Sequence, residues 1–398
     1  MRNTGRWLVS GAVVGLVGLL GLGGWLVAPQ PTRACPFCSA QGKTLTEEIN
    51  QAQLVVFGTL KNPKADPGSL NGGTTEMVVE AVIKPDPYIN GKKSLVLPRY
   101  VPPSSKPMKY LVYCDIFQGQ LDPYRGDDFQ PDTKIVAYLQ GALALKDKDA
   151  PTRLRYFFDY LDSPELRISE DAYREFGYSD YEDYRKVAEK LPADRVRGWL
   201  ADPNTPTSRL GLYGSMIGHC GKAEDAELVR KLLDDPTRLS TGMDGILAGY
   251  VMLDRKAGWE FLTKLLADER KDFVPRYAGL RAIRFFWEYR PDVVPKTELL
   301  AAFLTVAKQK DIADLAIEDL RKYQQWQPME TILGLAKAPT HQAPIIQRAI
   351  LRYALVGQQH SPAAKAFVAQ ARKADPEKVA DVEELLELEM RATPADKK

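Results

Sequence analysis

The rhythm of apolar and polar positions changes near residue 150. Between residues 35 and 145, short apolar runs alternate with turn formers. Leu54-Val55-Val56-Phe57-Gly58-Thr59-Leu60 predicts a buried strand. Thr74 to Lys84 alternates, with Met77, Val79, Ala81 and Ile83 against Val78, Glu80 and Val82. Lys93 to Val101 and Lys109 to Phe117 predict two further strands. Loops are expected at Asn62 to Gly73 and Pro102 to Pro107, and a turn at Asn90-Gly91. Ahead of them, Thr44 to Gln51 predicts a short helix capped by Thr44 or Thr46, with Glu47 and Glu48 in its first turn. Regular short strands with these turns predict a small β-barrel or sandwich.

From residue 150 to 398 the alternation gives way to three- and four-residue apolar spacing, punctuated by Pro and Gly. Helices recur in pairs. A first helix begins near Ser208, Met243, Pro275, Asp311 and Ala343, at intervals of 35, 32, 36 and 32 residues. The second helices are Glu224 to Asp234, Ala257 to Ala267, Lys296 to Lys308, Met329 to Lys337 and Ala363 to Lys373. Such a period predicts an α-solenoid, in which stacking supplies the core that no single unit can bury. Ser169 to Leu200 reads as an irregular opening unit and Glu377 to Arg391 as the terminal cap. The fold class expected is therefore α+β and multidomain.

The N-terminal 34 residues stand apart. Arg2 and Arg6 precede an uncharged apolar run from Trp7 to Val27, 21 residues long. As a helix at about 1.5 Å per residue, it would reach roughly 30 Å, one bilayer core. Two readings follow: a signal peptide cleaved after Thr32-Arg33-Ala34, or an uncleaved anchor oriented by Arg2 and Arg6. Either places residues 35–398 outside the cytoplasm, periplasmic or secreted. Across the 398 residues, 54 Lys and Arg face 52 Asp and Glu. Residues 35–150 hold 13 basic and 13 acidic residues, which gives no support to a nucleic-acid-binding face.

Cys35, Cys38, Cys114 and Cys220 are the four cysteines. An oxidising compartment permits disulfides, and the candidates are Cys35, Cys38 and Cys114, with one of the first pair stapling the N-terminus to Cys114. Cys35-Pro36-Phe37-Cys38 also has the spacing of a redox dithiol. A zinc site would want a second cysteine pair, and a c-type haem a following His. Cys220, in Gly218-His219-Cys220-Gly221 at a helix end, reads as a small buried hydrophobe.

The order of helix, Leu-Val-Val-Phe-Gly-Thr, loop, amphipathic strand and Tyr110-Leu111-Val112-Tyr113 resembles the OB-type barrel of netrin-like, or TIMP-like, domains over about residues 35–120. That family's inhibitors begin Cys-x-Cys and act through the N-terminal amine; this chain has Cys-x-x-Cys and Pro36. The helical units Arg209-Leu-Gly-Leu-Tyr-Gly, Arg276-Tyr-Ala-Gly-Leu-Arg and Arg348-Ala-Ile-Leu-Arg-Tyr resemble short HEAT-type repeats. As a whole the chain resembles a class of uncharacterised exported bacterial proteins, a likeness that implies no activity.

Candidate chemistry is sparse. His219, His341 and His360 are the histidines. His341 and His360 fall in inter-helix loops, where exposure is expected. His219 abuts Cys220, but neighbours on a helix point about 100° apart, which argues against a dyad. Asp122, Asp127 and Asp128 read as a solvated turn. No catalytic residue, metal ligand or cofactor motif is assigned. Tyr173, Phe176, Tyr178, Tyr181 and Tyr184 form an aromatic stretch, read either as packing between the two domains or as a partner surface in which Tyr173, Tyr178, Tyr181 and Tyr184 supply contact area. Phe285-Phe286-Trp287 reads as deep core. The function expected is an exported, non-enzymatic binding or scaffold protein whose helical surface takes a protein partner. The alternatives are a thiol-disulfide protein using Cys35 and Cys38, and a netrin-like inhibitor acting through its mature N-terminus.

Overall fold

The computed structural model describes residues 36–38, 41–68, 72–235, 237–238 and 241–392. All of them fall in one compact unit, Arg33–Lys398. The Trp7 to Val27 run and Cys35 lie outside the described residues. Among those described, no helix is long and apolar enough to cross a membrane.

The chain opens with α1 (Leu45–Gln51), capped by the Thr44 hydroxyl, which accepts from the Glu47 N–H. Five strands follow: β1 (Leu54–Ala65), β2 (Gly73–Lys84), β3 (Ser94–Leu97), β4 (Lys109–Phe117) and β5 (Gln120–Phe129). They form one antiparallel sheet in the order β3-β2-β1-β4-β5, not closed by pairing between β3 and β5. The apolar run at Leu54 becomes the central strand, where both faces are covered. Val55 and Phe57 of β1, with Leu111 and Tyr113 of β4, face the main core. The alternate residues Leu54, Val56, Val112 and Cys114 face a smaller core with Met77, Leu95, Leu97 and Leu121.

β1 runs on to Ala65, into the stretch read as a loop. It does so through a bulge between Lys61 and Lys64, with Asn62 in the left-handed region at φ 50°. β5 was not expected either: Asp122, Asp127 and Asp128 belong to an edge strand rather than a turn. β3 is shorter than the stretch from Lys93 to Val101.

Seventeen α-helices occur among the described residues. After α1 come α2 (Ile135–Ala144), α3 (Ala150–Phe158), α4 (Leu166–Gly177), α5 (Tyr181–Ala188) and α6 (Ala193–Ala201). Then follow α7 (Thr207–Cys220), α8 (Ala226–Asp234), α9 (Met243–Leu253), α10 (Arg255–Ala267), α11 (Phe273–Glu288) and α12 (Lys296–Ala307). The last are α13 (Ala313–Lys322), α14 (Met329–Leu335), α15 (Pro344–Gly357), α16 (Pro362–Ala374) and α17 (Pro376–Ala392). Caps set many starts: Asp149, Asp180, Asp254 and Ser361 each accept a first-turn N–H. α7 packs on α9, α9 on α11, and α13 on α15. Between α11 and the segment 311–323 that carries α13, three side-chain contacts share one offset of 35 residues: Arg276–Asp311, Arg284–Asp319 and Tyr323–Glu288. The sheet's inner face and the helices share a single core, from Phe37 to Leu386.

Candidate functional site

A recess of about 660 Å³ lies between α8, α10 and the first turns of α9 and α11. Leu233, Met243, Phe261, Leu265 and Pro275 give it an apolar floor. Around them stand Arg230, Lys264 and Lys271, and Asp234, Asp268 and Asp272. The repeated helix pairing creates this arrangement. The amphipathic α8 and α10 turn their apolar stripes inward, leaving Arg230, Asp234 and Lys264 at the edge.

Several rim charges are already paired. Arg230 bridges to Asp234, and its guanidinium lies 4.5 Å from the Phe261 ring centroid. Lys264 pairs with Glu260 at 2.6 Å, and Asp268 with Arg270 at 2.9 Å. The Arg270 bond holds the Asp268 carboxyl below its ordinary pKa. Between the lining residues Asp272 and Pro275, Phe273 is 43% exposed and Val274 60%. Phe273 is held by stacking on Tyr277, ring centroids 5.5 Å apart. An apolar floor, exposed apolar side chains and a rim of both charges suit a polypeptide segment. Sequence reading passed over this place. The signal available was Asp272-Phe273-Val274-Pro275, two large apolar residues in the first turn of a helix where polar ones are usual.

The aromatic stretch read as a partner surface lies mostly inside. Tyr173, Tyr181 and Tyr184 are buried and cannot present contact area to a partner. Tyr181 packs on Phe285 and Tyr289, the Tyr184 hydroxyl donates to Ser215 Oγ at 3.0 Å, and Tyr173 donates to the Ser208 carbonyl at 3.1 Å. Only Tyr178 is exposed, and its hydroxyl donates to the Gly42 carbonyl. The period of this stretch fitted either face of a helix, and the aromatic neighbours on α7 and α11 decided for the interior.

Of the cysteine candidates, Cys35 lies outside the described residues. Cys38 packs against the main core, while Cys114 is enclosed in the smaller core on the other face of the sheet, as a free thiol. Burial pushes the Cys114 thiol up to about 12 and Cys220 to about 11, the opposite of an activated nucleophile. Phe37, between the first two cysteines, is buried against Phe285, ring centroids 4.7 Å apart. Arg281 donates to the Pro36 carbonyl at 2.9 Å and pairs with the buried Asp244 at 2.7 Å. The motif is thus anchored on α9 and α11.

His219 donates through Nδ1 to the Ser215 carbonyl, 2.7 Å away, and accepts at Nε2 from the Tyr181 hydroxyl at 2.9 Å. Burial lowers its pKa to about 4, so it is neutral near pH 7. His341 is buried, not exposed: its Nε2 donates to the Ala307 carbonyl at 3.0 Å, closing an inter-helix turn. His360 stacks on Trp326. Asp127 binds Arg125 and Arg167, which makes the acidic run of β5 part of the sheet-to-helix contact. Among the described residues no group of three His, Cys, Asp or Glu is placed to hold a metal ion.

Fold and cleft together define an α+β chain with an antiparallel sheet and a series of paired helices. Compared with protein-family models, curated proteins and solved structures, the chain matches none.

Proposed function

We propose that this is an exported binding or scaffold protein whose paired helices form a HEAT-like α-solenoid and offer the cleft between α8, α10 and α11 to a protein partner. The observation that carries the reading is the exposed Phe273-Val274 pair beside an apolar floor ringed by both charges. The repeated 35-residue offset between α11 and α13 supports the solenoid. The Arg2 and Arg6 start and the apolar run from Trp7 to Val27 support export.

The test is a photo-crosslinking amino acid placed at Val274 in the full-length chain, with Val96 on β3, also exposed, as the control site. Crosslinking is carried out in intact cells, and the adducts are identified by mass spectrometry. A discrete protein adduct from position 274 and none from 96 is expected. Equal adducts from both positions, or none from 274, would overturn the reading.

A further inference from the structure

Between the Cys-Pro-Phe-Cys motif and β1 the chain is held as a strap across the helices. Three residues of one helix stripe grip it. The Asp171 Oδ1 accepts from the Leu45 N–H at 2.7 Å, Glu175 accepts from the Thr46 hydroxyl, and the Tyr178 hydroxyl donates to the Gly42 carbonyl. Asp171, Glu175 and Tyr178 stand four and then three residues apart on α4 and its C-cap, so they share a face. Farther back, Arg281 and Phe285 hold Pro36 and Phe37. All these contacts join the strap to helices distant in sequence.

Asp171 is the unusual member. Its side chain is 0% exposed, and its Oδ2 accepts from the Tyr138 hydroxyl of α2 at 2.7 Å. Both carboxyl oxygens are therefore occupied by uncharged donors. An ionised carboxylate in such a place bears a desolvation cost that a neutral carboxyl does not. Protonation breaks neither contact. One oxygen still accepts the Leu45 N–H; the other takes the proton and donates it to the Tyr138 oxygen, whose role reverses from donor to acceptor.

We propose that Asp171 makes the strap a proton-controlled latch, tightest when its carboxyl is protonated and looser once it is ionised. The groups around it pull both ways: the Leu45 N–H and the Tyr138 hydroxyl each favour the ionised form, against the burial that favours the neutral one. Glu175 on α4 favours protonation of Asp171, and Arg174 opposes it. Arg153 of α3 and Glu47 of α1 act on Glu175 in opposite senses. Tyr113 of β4 feels the Asp171 charge across the core, and Tyr156 of α3 donates to the Tyr138 carbonyl. Burial, the largest influence, lifts the Asp171 pKa from 3.8 to about 7. A raised carboxyl pKa means stability that is complete below the unfolded value, lost as pH climbs from that value to the folded one, and constant above it. The latch therefore loosens as pH rises from about 4 to about 7 and loosens no further above that.

The experiment is hydrogen exchange of the full-length protein, read by mass spectrometry on a peptide covering residues 41–50, from pH 4 to 8. Rates are corrected for intrinsic exchange, with a peptide from α15 as internal reference. In the wild type, protection of 41–50 should fall roughly 100-fold between pH 4.5 and 7 relative to α15 and level off above pH 7. Asp171→Asn keeps an acceptor and a donor without ionising, so its protection should stay flat. Tyr138→Phe removes a donor to the carboxylate and should move the fall to higher pH. This second variant decides the matter if the first does not fold. A flat wild-type profile, an equal fall in Asp171→Asn, or an unmoved midpoint in Tyr138→Phe would overturn the proposal.

Discussion

Two joints in the helical stack are built from opposite materials. Between α7 and α9 the contact is backbone on backbone. A Cβ added to Gly245 would lie 2.0 Å from the Gly211 carbonyl oxygen, and one at Gly249 would lie 2.1 Å from that of Gly214. Between α11 and α13, and on to α15 and α17, long side chains bridge the gap. Arg284 meets Asp319 at 2.7 Å, while Arg321 and Arg352 share Glu318 and Glu389. One joint allows no added atom and depends on shape. The other tolerates spacing but must pair charges away from water. A stack of similar helix pairs can thus be rigid at one end and electrostatically adjustable at the other.

The sharpest way to break the comparison is at the glycine joint. Gly249→Ala should cost about 3 kcal/mol, because backbone rather than a mobile side-chain tip blocks the new methyl. Urea unfolding should show a lower midpoint with an unchanged slope, and 1 M salt should not alter the loss. At the charged joint, Arg284→Met leaves the buried Asp319 without its partner. That should cost about 2–3 kcal/mol at pH 8. Burial already raises Asp319 to about 6, so much of the loss should be recovered at pH 5, where the carboxyl is protonated. No such recovery should occur at Gly249.

His219, near the end of α7, sharpens the contrast on the acid side. Its pKa falls from 6.5 to about 4 on folding, so the unfolded chain takes up the proton first. The stability it contributes is present above pH 6.5 and lost toward pH 4. His219→Gln should remove about 2 kcal/mol of that acid-side loss, measured as a flatter plot of unfolding free energy against pH. The smallest effect belongs to the exposed Lys264–Glu260 pair. Lys264→Ala should leave the urea midpoint within error, which separates surface pairs from the buried joint.

The helix pairs were legible because each buries a stripe that repeats in the sequence. Met243 and Lys296 begin helices where the pattern put them, and α17 spans the stretch read as a cap. What escaped depended on distant partners. The polar text of β5 resembles a turn, yet β4 supplies its backbone bonds and Arg167 neutralises Asp127. Ile135 to Ala144 forms a helix inside the region read as β-rich, because Tyr138 and Leu139 find a core made by α3 and α4. The cleft was invisible for the same reason. Its floor comes from α8, α9, α10 and α11, and no local spacing records that they meet.

The hold of Arg281 on the Pro36 carbonyl has a kinetic consequence. The two residues are 245 apart in sequence, so this contact closes a loop around the sheet and the first half of the helical stack. Closing so long a loop before its interior is formed would sacrifice chain entropy for a single bond. Helix pairing between neighbours such as α9 and α10 is local and fast. The docking of Phe37 and Pro36 is therefore expected late in folding, and its loss should speed unfolding more than it slows folding.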